Sequence, residues 1–220
     1  MNRVPILFLA IFAAVTLSFW GVVVMPQLEV GNAGVLTTMD TGVAYPVARN
    51  GHAAQGAEIY RANGCAECHT QQVRPKGMGS DYERGWGKRR TIAEDYLLED
   101  SVQIGGLRLG PDLSNVGQRQ PGVTLHLQHL YNPRVTVPQS TMPRYTYLFN
   151  KRPLANGEKP SPNALPANTE PGYEITPKPE ASALAAYLVS LNAQSAVFSA
   201  PFPITKTNAT AKAAVVSPVK

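Results

Sequence analysis

Residues 65–69 constrain this chain most, because they read Cys-Ala-Glu-Cys-His. A Cys-x-x-Cys-His run predicts a c-type haem attachment site. Cys65 and Cys68 would each form a thioether with a haem vinyl carbon, and His69 would bind the iron. A Cys-x-x-Cys pair alone also suits a redox dithiol, half a zinc site or a simple disulfide. The chain has no other cysteine, and no thioredoxin-like pattern surrounds this pair, so we favour one covalently attached haem c.

An almost unbroken apolar run over residues 4–25 precedes this motif. As a helix, a run of about 22 residues is about 33 Å long, which is enough to cross a bilayer. Arg3 is the only charge before it and Glu29 is the first charge after it. The positive-inside rule therefore predicts a cytoplasmic N-terminus and an exported remainder.

A cleaved secretory signal is the alternative interpretation of this run. The apolar core of a signal peptide has about 7–15 residues and is followed by a small-x-small cleavage site. The run here is longer, and residues 22–27 (Val-Val-Val-Met-Pro-Gln) offer no such site. We therefore expect an uncleaved, single-pass anchor.

The composition predicts a modest core surrounded by long irregular segments. Charged residues make up 16% of the chain, whereas it contains 19 prolines and 18 glycines. The net charge of +5 would suit an acidic partner, anionic lipid or nucleic acid. Since no nucleic-acid-reading motif accompanies this charge, we expect no nucleic-acid binding.

Three helices are predicted after the anchor. Helix-forming residues over 52–63 end at Gly64, and an apolar stripe marks 179–192. Gly56 inside the first of these helices predicts close approach of the second. A third helix is predicted over Val123–Tyr131, although alternating apolar residues there also fit a strand. His126 and His129 would share one face of it, and we favour a structural or interface role for them over a metal site.

The segment 70–92 is a basic, glycine-rich loop. Arg74 lies nearest the motif and is the first candidate to pair with a haem propionate. Trp86 would either cover the haem edge or anchor an interface. Most of the other cations are expected to be solvated or to face a partner; they are Lys76, Arg84, Lys88, Arg89 and Arg90.

Two later segments resemble those of class I cytochromes c. In Gly110-Pro-Asp-Leu, the Pro111 carbonyl matches the group that accepts the second ring N–H of the haem histidine. Met142, followed by Pro143, matches the distal thioether ligand. Met78 in the basic loop is the competing candidate. The resemblance implies a mainly α fold, in which a class I cytochrome c-like domain with long irregular loops follows the single transmembrane helix.

The expected organisation has four parts. Residues 1–26 form the anchor, 27–50 a connector, 51–195 the cytochrome c domain and 196–220 a disordered tail. Within the domain, the proline-rich stretch 151–178 is expected to wrap the surface without forming a strand ladder.

The motifs together resemble the mono-haem subunit II of cbb3-type cytochrome c oxidases. They are Cys65-Ala-Glu-Cys-His-Thr-Gln-Gln-Val-Arg-Pro, Gly110-Pro-Asp-Leu, His129-Leu-Tyr-Asn-Pro-Arg and Val137-Pro-Gln-Ser-Thr-Met-Pro. This resemblance implies an electron relay in a bacterial inner membrane, with a periplasmic haem domain. The implied partners are a catalytic haem–copper oxidase subunit and a di-haem cytochrome c subunit. The composition of the basic loop and the long tail depart from the common pattern.

Other functions remain as alternatives. A free membrane-tethered shuttle and the mono-haem subunit of nitric oxide reductase share the anchor-plus-haem layout. A haem sensor or peroxidase would need a displaceable sixth ligand. With both His69 and Met142 bound, the iron has no open position, which favours electron transfer over catalysis by this chain itself.

Overall fold

The computed structural model describes residues 3–39, 41–49, 51–193 and 195–197. This part of the chain is mainly helical, as predicted. Its α-helices after the N-terminal one are Gly51–Ala62, Val116–Arg119, Val123–Tyr131, Pro133–Thr136 and Pro179–Ser190, and its 3-10 helices are Cys65–Glu67, Ala93–Tyr96 and Thr146–Leu148. Two antiparallel strand pairs complete it: Leu36–Thr37 with Ala44–Tyr45, and Phe149–Pro153 with Tyr173–Pro177.

The N-terminal helix, Val4–Val30, is long and apolar enough to cross a membrane, and none of its apolar stretch is buried against the rest of the protein. It continues past the apolar run and past Pro26, at which the predicted anchor ended. A π-helical turn over Trp20–Val24 precedes this proline, and the Met25 N–H donates to the Trp20 carbonyl five residues back. Because proline lacks an N–H and crowds the preceding turn, the widened turn lets the helix continue.

The crossing of two distant helices forms the centre of the domain, as the sequence predicted. We call Gly51–Ala62 the motif helix, because the Cys-x-x-Cys-His run follows it, and Pro179–Ser190 the terminal helix. A Cβ added to Gly56 would lie 2.0 Å from the Ala183 carbonyl oxygen, so only glycine allows this approach. Next to it, the rings of Tyr60 and Tyr187 lie 5.3 Å apart and are almost fully buried.

The predicted third helix, Val123–Tyr131, also packs on the terminal helix. Leu127, Leu130 and Tyr131 are buried in the same cluster as Leu184 and Leu188. The backbone N–H of Gly117 donates to the Leu191 carbonyl and ties the segment before this helix to the end of the terminal helix. These contacts bring residues 110–117, which carry Pro111, up to the motif helix.

The prediction that residues 151–178 form no strand ladder is wrong at both ends of the stretch. Phe149–Pro153 pairs with Tyr173–Pro177, from Phe149 opposite Pro177 to Pro153 opposite Tyr173. Both prolines stand at the last position of their strands. At such an end the missing N–H removes no internal ladder bond, so the residues between them can pair.

The connector is fastened to the domain. The Tyr45 hydroxyl donates to Asp95, and Arg49 pairs with Glu99 and donates to Ser190 at the end of the terminal helix. Of the predicted tail, only residues 196 and 197 are described, and the rest lies outside the described residues.

We expect Gly56→Ala to lower the free energy of unfolding by about 1–3 kcal/mol, because a methyl group there overpacks the helix crossing. Gly51→Ala is the matched control in the same helix, since a Cβ there meets nothing within 4 Å. Chemical denaturation of the purified full-length protein measures both. Equal stability of the two variants would contradict the close packing at Gly56.

Candidate haem site

The motif folds as one tight turn directly after the motif helix. Gly64 has a φ of +64° and reverses the chain, and the N–H groups of Cys68 and His69 both donate to the Cys65 carbonyl. This turn brings the two thiols and the imidazole to one end of the helix. Both cysteines are free and half-buried, and burial raises the pKa of the Cys65 thiol to about 11.

The His69 ring is oriented by a hydrogen bond to a proline carbonyl. Its Nδ1 lies 2.8 Å from the Pro111 carbonyl oxygen. Since a carbonyl can only accept, Nδ1 carries the proton and the Nε2 lone pair is left for a metal. Burial lowers the pKa of His69, against the opposing effects of this bond and of the Asp112 charge. The neutral form, which ligates metals, is therefore favoured. The contact predicted for Pro111 is present.

Two glycines allow the chain to approach the motif. A Cβ at Gly110 would lie 2.3 Å from Cε1 of His69, and one at Gly105 would lie 2.5 Å from the His69 carbonyl oxygen. The Gly110 N–H also donates to the Cys68 carbonyl at 2.9 Å. From the sequence, Gly110 was named only as part of the Gly110-Pro-Asp-Leu motif, and Gly105 was not singled out. The signal was the pair Gly105-Gly106 and the glycine before Pro111, but their meaning depends on where His69 lies.

Asp112 is a further site residue, to which the sequence alone assigned no role. Its carboxylate is fully buried and accepts hydrogen bonds from the Thr70 hydroxyl at 2.6 Å and from the Gln72 N–H at 2.8 Å. A third donor, the Ser114 N–H, lies 2.9 Å away. Asp112 therefore fastens the residues after His69 to the segment that carries Pro111.

Met142 is half-buried and packs against the core together with Cys65. Its N–H donates to the Ser140 hydroxyl at 3.2 Å. Tyr145, in the same segment, has a pKa raised to about 12, first by burial and further by the charges of Cys65, Tyr147 and Cys68. Tyr145 packs against the same core as Cys65, and the Tyr147 hydroxyl donates to Asn63 just before the motif, so this segment lies near the motif. Met78, by contrast, is 68% exposed. The role of Met142 as an axial ligand stays a prediction.

Arg74 is engaged within the protein by a buried carboxylate. Its Nη2 lies 2.9 Å from Oδ1 of Asp81, and Arg108 contacts the same oxygen at 2.6 Å. Burial alone would raise the pKa of Asp81, but the hydrogen bonds from the two arginines outweigh it and lower this pKa to about 2. Pairing of Arg74 with a haem propionate stays a prediction.

Two residues of the basic loop, Trp86 and Arg89, lie in the interior of the protein. Arg89 departs from the surface position expected for most of these cations, because it is buried and forms a two-point ion pair with Asp95. Trp86 is 8% exposed and lies under the guanidinium groups of Arg84 and Arg108, so it belongs to the domain interior and is no interface anchor. Its covering of a haem edge stays a prediction.

Each of the two helix histidines has a partner within the protein. Nε2 of His126 lies 2.8 Å from the Gln120 carbonyl oxygen, and Nδ1 of His129 contacts the Thr136 hydroxyl. These bonds fit the structural role that we favoured. Across the described ranges, no group of three or more His, Cys, Asp or Glu side chains is arranged to hold a metal ion.

The residues around the motif fit a haem. Two free thiols, an imidazole with Nε2 available and a thioether on the adjoining segment supply the donor types that a c-type haem uses. The chain from Ile104 to Gly110 runs along the motif, because the Gln71 N–H donates to the Ile104 carbonyl and the Gly110 N–H to Cys68. Ile104, Leu107 and Leu109 on this stretch are exposed apolar side chains that a porphyrin could cover.

Comparison with known families agrees with this chemistry. Residues 1–162 match the family described as cytochrome c oxidase, mono-heme subunit/FixO. The chain belongs to this family. The match includes the N-terminal helix, the Cys-x-x-Cys-His motif, Pro111 and Met142, and it confirms the resemblance to the mono-haem subunit of cbb3-type oxidases. A search of curated proteins gives no match.

We expect Gly110→Ala to reduce the amount of haem retained per polypeptide, because the added methyl group would displace the His69 ring from Pro111. Gly106→Ala is the matched control, since a Cβ there has nothing within 4 Å. A pyridine haemochrome assay on both purified variants measures the haem content. Full haem content in Gly110→Ala, together with an unchanged spectrum, would show that the ring has room to move.

Proposed function

We propose that this chain is a membrane-anchored c-type cytochrome that relays electrons to the catalytic haem–copper subunit of a cbb3-type oxidase. The observation that carries the proposal is the His69–Pro111 hydrogen bond within a chain of the mono-heme oxidase-subunit family. This bond orients the imidazole for a metal and leaves Nε2 free to bind it.

Four side chains would hold the haem. Cys65 and Cys68 would attach it through thioethers, His69 would bind the iron through Nε2, and Met142 would bind it from the other face. When bound, haem supplies one-electron redox chemistry, and a Met/His ligand pair raises its reduction potential. With His69 and Met142 both bound to it, the iron would have no position for a substrate, so this chain would pass electrons without catalysing oxygen reduction itself.

The helix crossing supports a class I cytochrome c-like domain. In that arrangement the first and last helices of the domain cross, and the attachment motif follows the first. Here the motif helix and the terminal helix cross at Gly56, and the motif begins directly after the motif helix. Pro111 is assigned to the haem environment because its carbonyl bonds His69. Arg74 is assigned to it because it is the cation nearest the motif in the basic loop, and it is a candidate to pair with a propionate.

The fastened connector favours a fixed relay over a free shuttle. Between the end of the N-terminal helix at Val30 and the first strand at Leu36, only residues 31–35 lie outside both elements. Fully extended, such a link reaches about 17 Å. Since Tyr45 and Arg49 bind the connector to the domain, the haem site stays close to the membrane, within reach of a membrane-embedded partner.

The charge distribution around the anchor supports an orientation. Arg3 precedes the apolar helix, so the N-terminus would be cytoplasmic and the domain periplasmic, on the side where c-type haem is attached. A di-haem cytochrome subunit would deliver electrons there. The basic loop, with Arg84, Lys88 and Arg90 exposed, offers a surface to an acidic partner.

Met142→Ala tests this proposal. We expect the reduced variant to bind carbon monoxide, because the position of the thioether is open, and to have a lower reduction potential, because the Met/His ligand pair is lost. We also expect electron delivery to the oxidase to be at least about tenfold slower, because the coordination of an open iron changes between its two redox states. Purification of the oxidase complex with the variant chain, followed by difference spectra and oxygen-consumption assays, measures these effects.

Met78→Ala is the control, because Met78 is exposed in the basic loop. We expect it to behave as the wild type. A Met142→Ala spectrum identical to that of the wild type would remove Met142 from the iron, and failure of the chain to co-purify with a haem–copper subunit would contradict the relay.

A further inference from the structure

We propose that Asp112 is a positioning residue that fixes the His69–Pro111 hydrogen bond and thereby tunes the reduction potential of the iron. This inference rests on the proposed function. Asp112 would contact neither the iron nor the imidazole. It acts through the residue before it in the chain, Pro111, whose carbonyl oxygen accepts the His69 proton at 2.8 Å.

The hydrogen bonds of Asp112 join the two chain segments on which the imidazole bond depends. One oxygen, Oδ2, accepts from the Thr70 hydroxyl at 2.6 Å and the Gln72 N–H at 2.8 Å. Thr70 is the residue after His69. A displacement of Asp112 would therefore change the spacing between His69 and Pro111 directly.

Backbone bonds on either side of Pro111 join the same two segments, and the side chain of Asp112 adds to them. The Gly110 N–H donates to the Cys68 carbonyl at 2.9 Å, and the Leu113 N–H donates to the Thr70 carbonyl at 2.8 Å. Pro111 itself has no N–H to contribute. The carboxylate adds two further bonds between the segments, to Thr70 and Gln72, and it also holds its own loop through the Ser114 N–H.

The charge of Asp112 acts in the same direction as its geometry. Two arginines lie beside Asp112: Nη2 of Arg108 is 3.8 Å from Oδ2 but makes its closer contact with Asp81, and Arg119 donates to the backbone carbonyl of Asp112. Neither arginine makes a close hydrogen bond to the carboxylate oxygens, so this buried negative charge favours the more positive, oxidised iron. A firm hydrogen bond from Nδ1 also raises the basicity of the imidazole. Both effects lower the reduction potential.

Two variants separate the geometric effect from the charge. Thr70→Val removes the hydroxyl donor and leaves the charge of Asp112, whereas Asp112→Asn removes the charge and keeps an acceptor oxygen. Two readouts apply to the full-length, haem-loaded chain in detergent: the midpoint potential, and the exchange rate of the His69 Nδ1 proton in the reduced protein by NMR. We expect exchange about tenfold faster in Thr70→Val, equivalent to about 1.4 kcal/mol, and an upward shift of the potential.

Asp112→Asn should shift the potential further upward than Thr70→Val does. Thr70→Ser keeps the hydroxyl and should restore both readouts, which decides the matter even if Asp112→Asn fails to fold. Asp95→Asn is the charge control, because Asp95 is another buried carboxylate but is bonded to Arg89 and Tyr45 instead of the motif. It should leave the Nδ1 exchange rate unchanged.

The outcomes distinguish this inference from the function on which it rests. A haem-loaded wild type whose potential and exchange rate are unchanged in Thr70→Val and Asp112→Asn contradicts the role of Asp112 alone. Faster exchange in Asp95→Asn as well would also overturn it, because the effect would then be a general loss of stability. A wild-type chain that carries no haem contradicts the proposed function itself.

Discussion

The hydrogen bond between His69 Nδ1 and the Pro111 carbonyl is the interaction on which the site depends. A free imidazole can rotate and can carry its proton on either nitrogen, so its Nε2 lone pair has no fixed direction. A carbonyl that only accepts removes both freedoms. Gly110 makes this possible, because any side chain there would occupy the space of the ring. The glycine at position 110 thus follows from the position of one histidine, and Asp112 ties the same segment to Thr70 and Gln72.

The rest of the fold brings these two segments together. Residue 69 and residue 111 are distant in sequence, and the crossing of the motif helix and the terminal helix sets the position of the turn that carries His69. The segment with Pro111 is held to the other end of that crossing, where the Gly117 N–H donates to Leu191. Gly56 keeps the two helices close. Substitution far from the imidazole can therefore disturb the site through packing alone.

The sequence predicted the features that depend on local pattern or on fixed spacing. The apolar N-terminal helix, the motif helix ended by Gly64 and the Val123–Tyr131 helix needed only neighbouring residues. Features that depend on distant partners were missed. Arg89 is held by the distant Ser195 carbonyl as well as by Asp95, Trp86 is covered by Arg108, and the strands Phe149–Pro153 and Tyr173–Pro177 pair because their prolines stand at the ends. Asp112 looked like an ordinary turn residue, since Thr70 and Gln72 lie 40 or more positions earlier in the chain.

The most direct measurement of the central claim is the intact mass of the denatured protein after normal maturation. If Cys65 and Cys68 bind haem as thioethers, the denatured wild-type polypeptide carries the added mass of one haem, and the variant with Cys65→Ala and Cys68→Ala carries none. A denatured wild-type chain at the mass of the bare polypeptide would contradict the account.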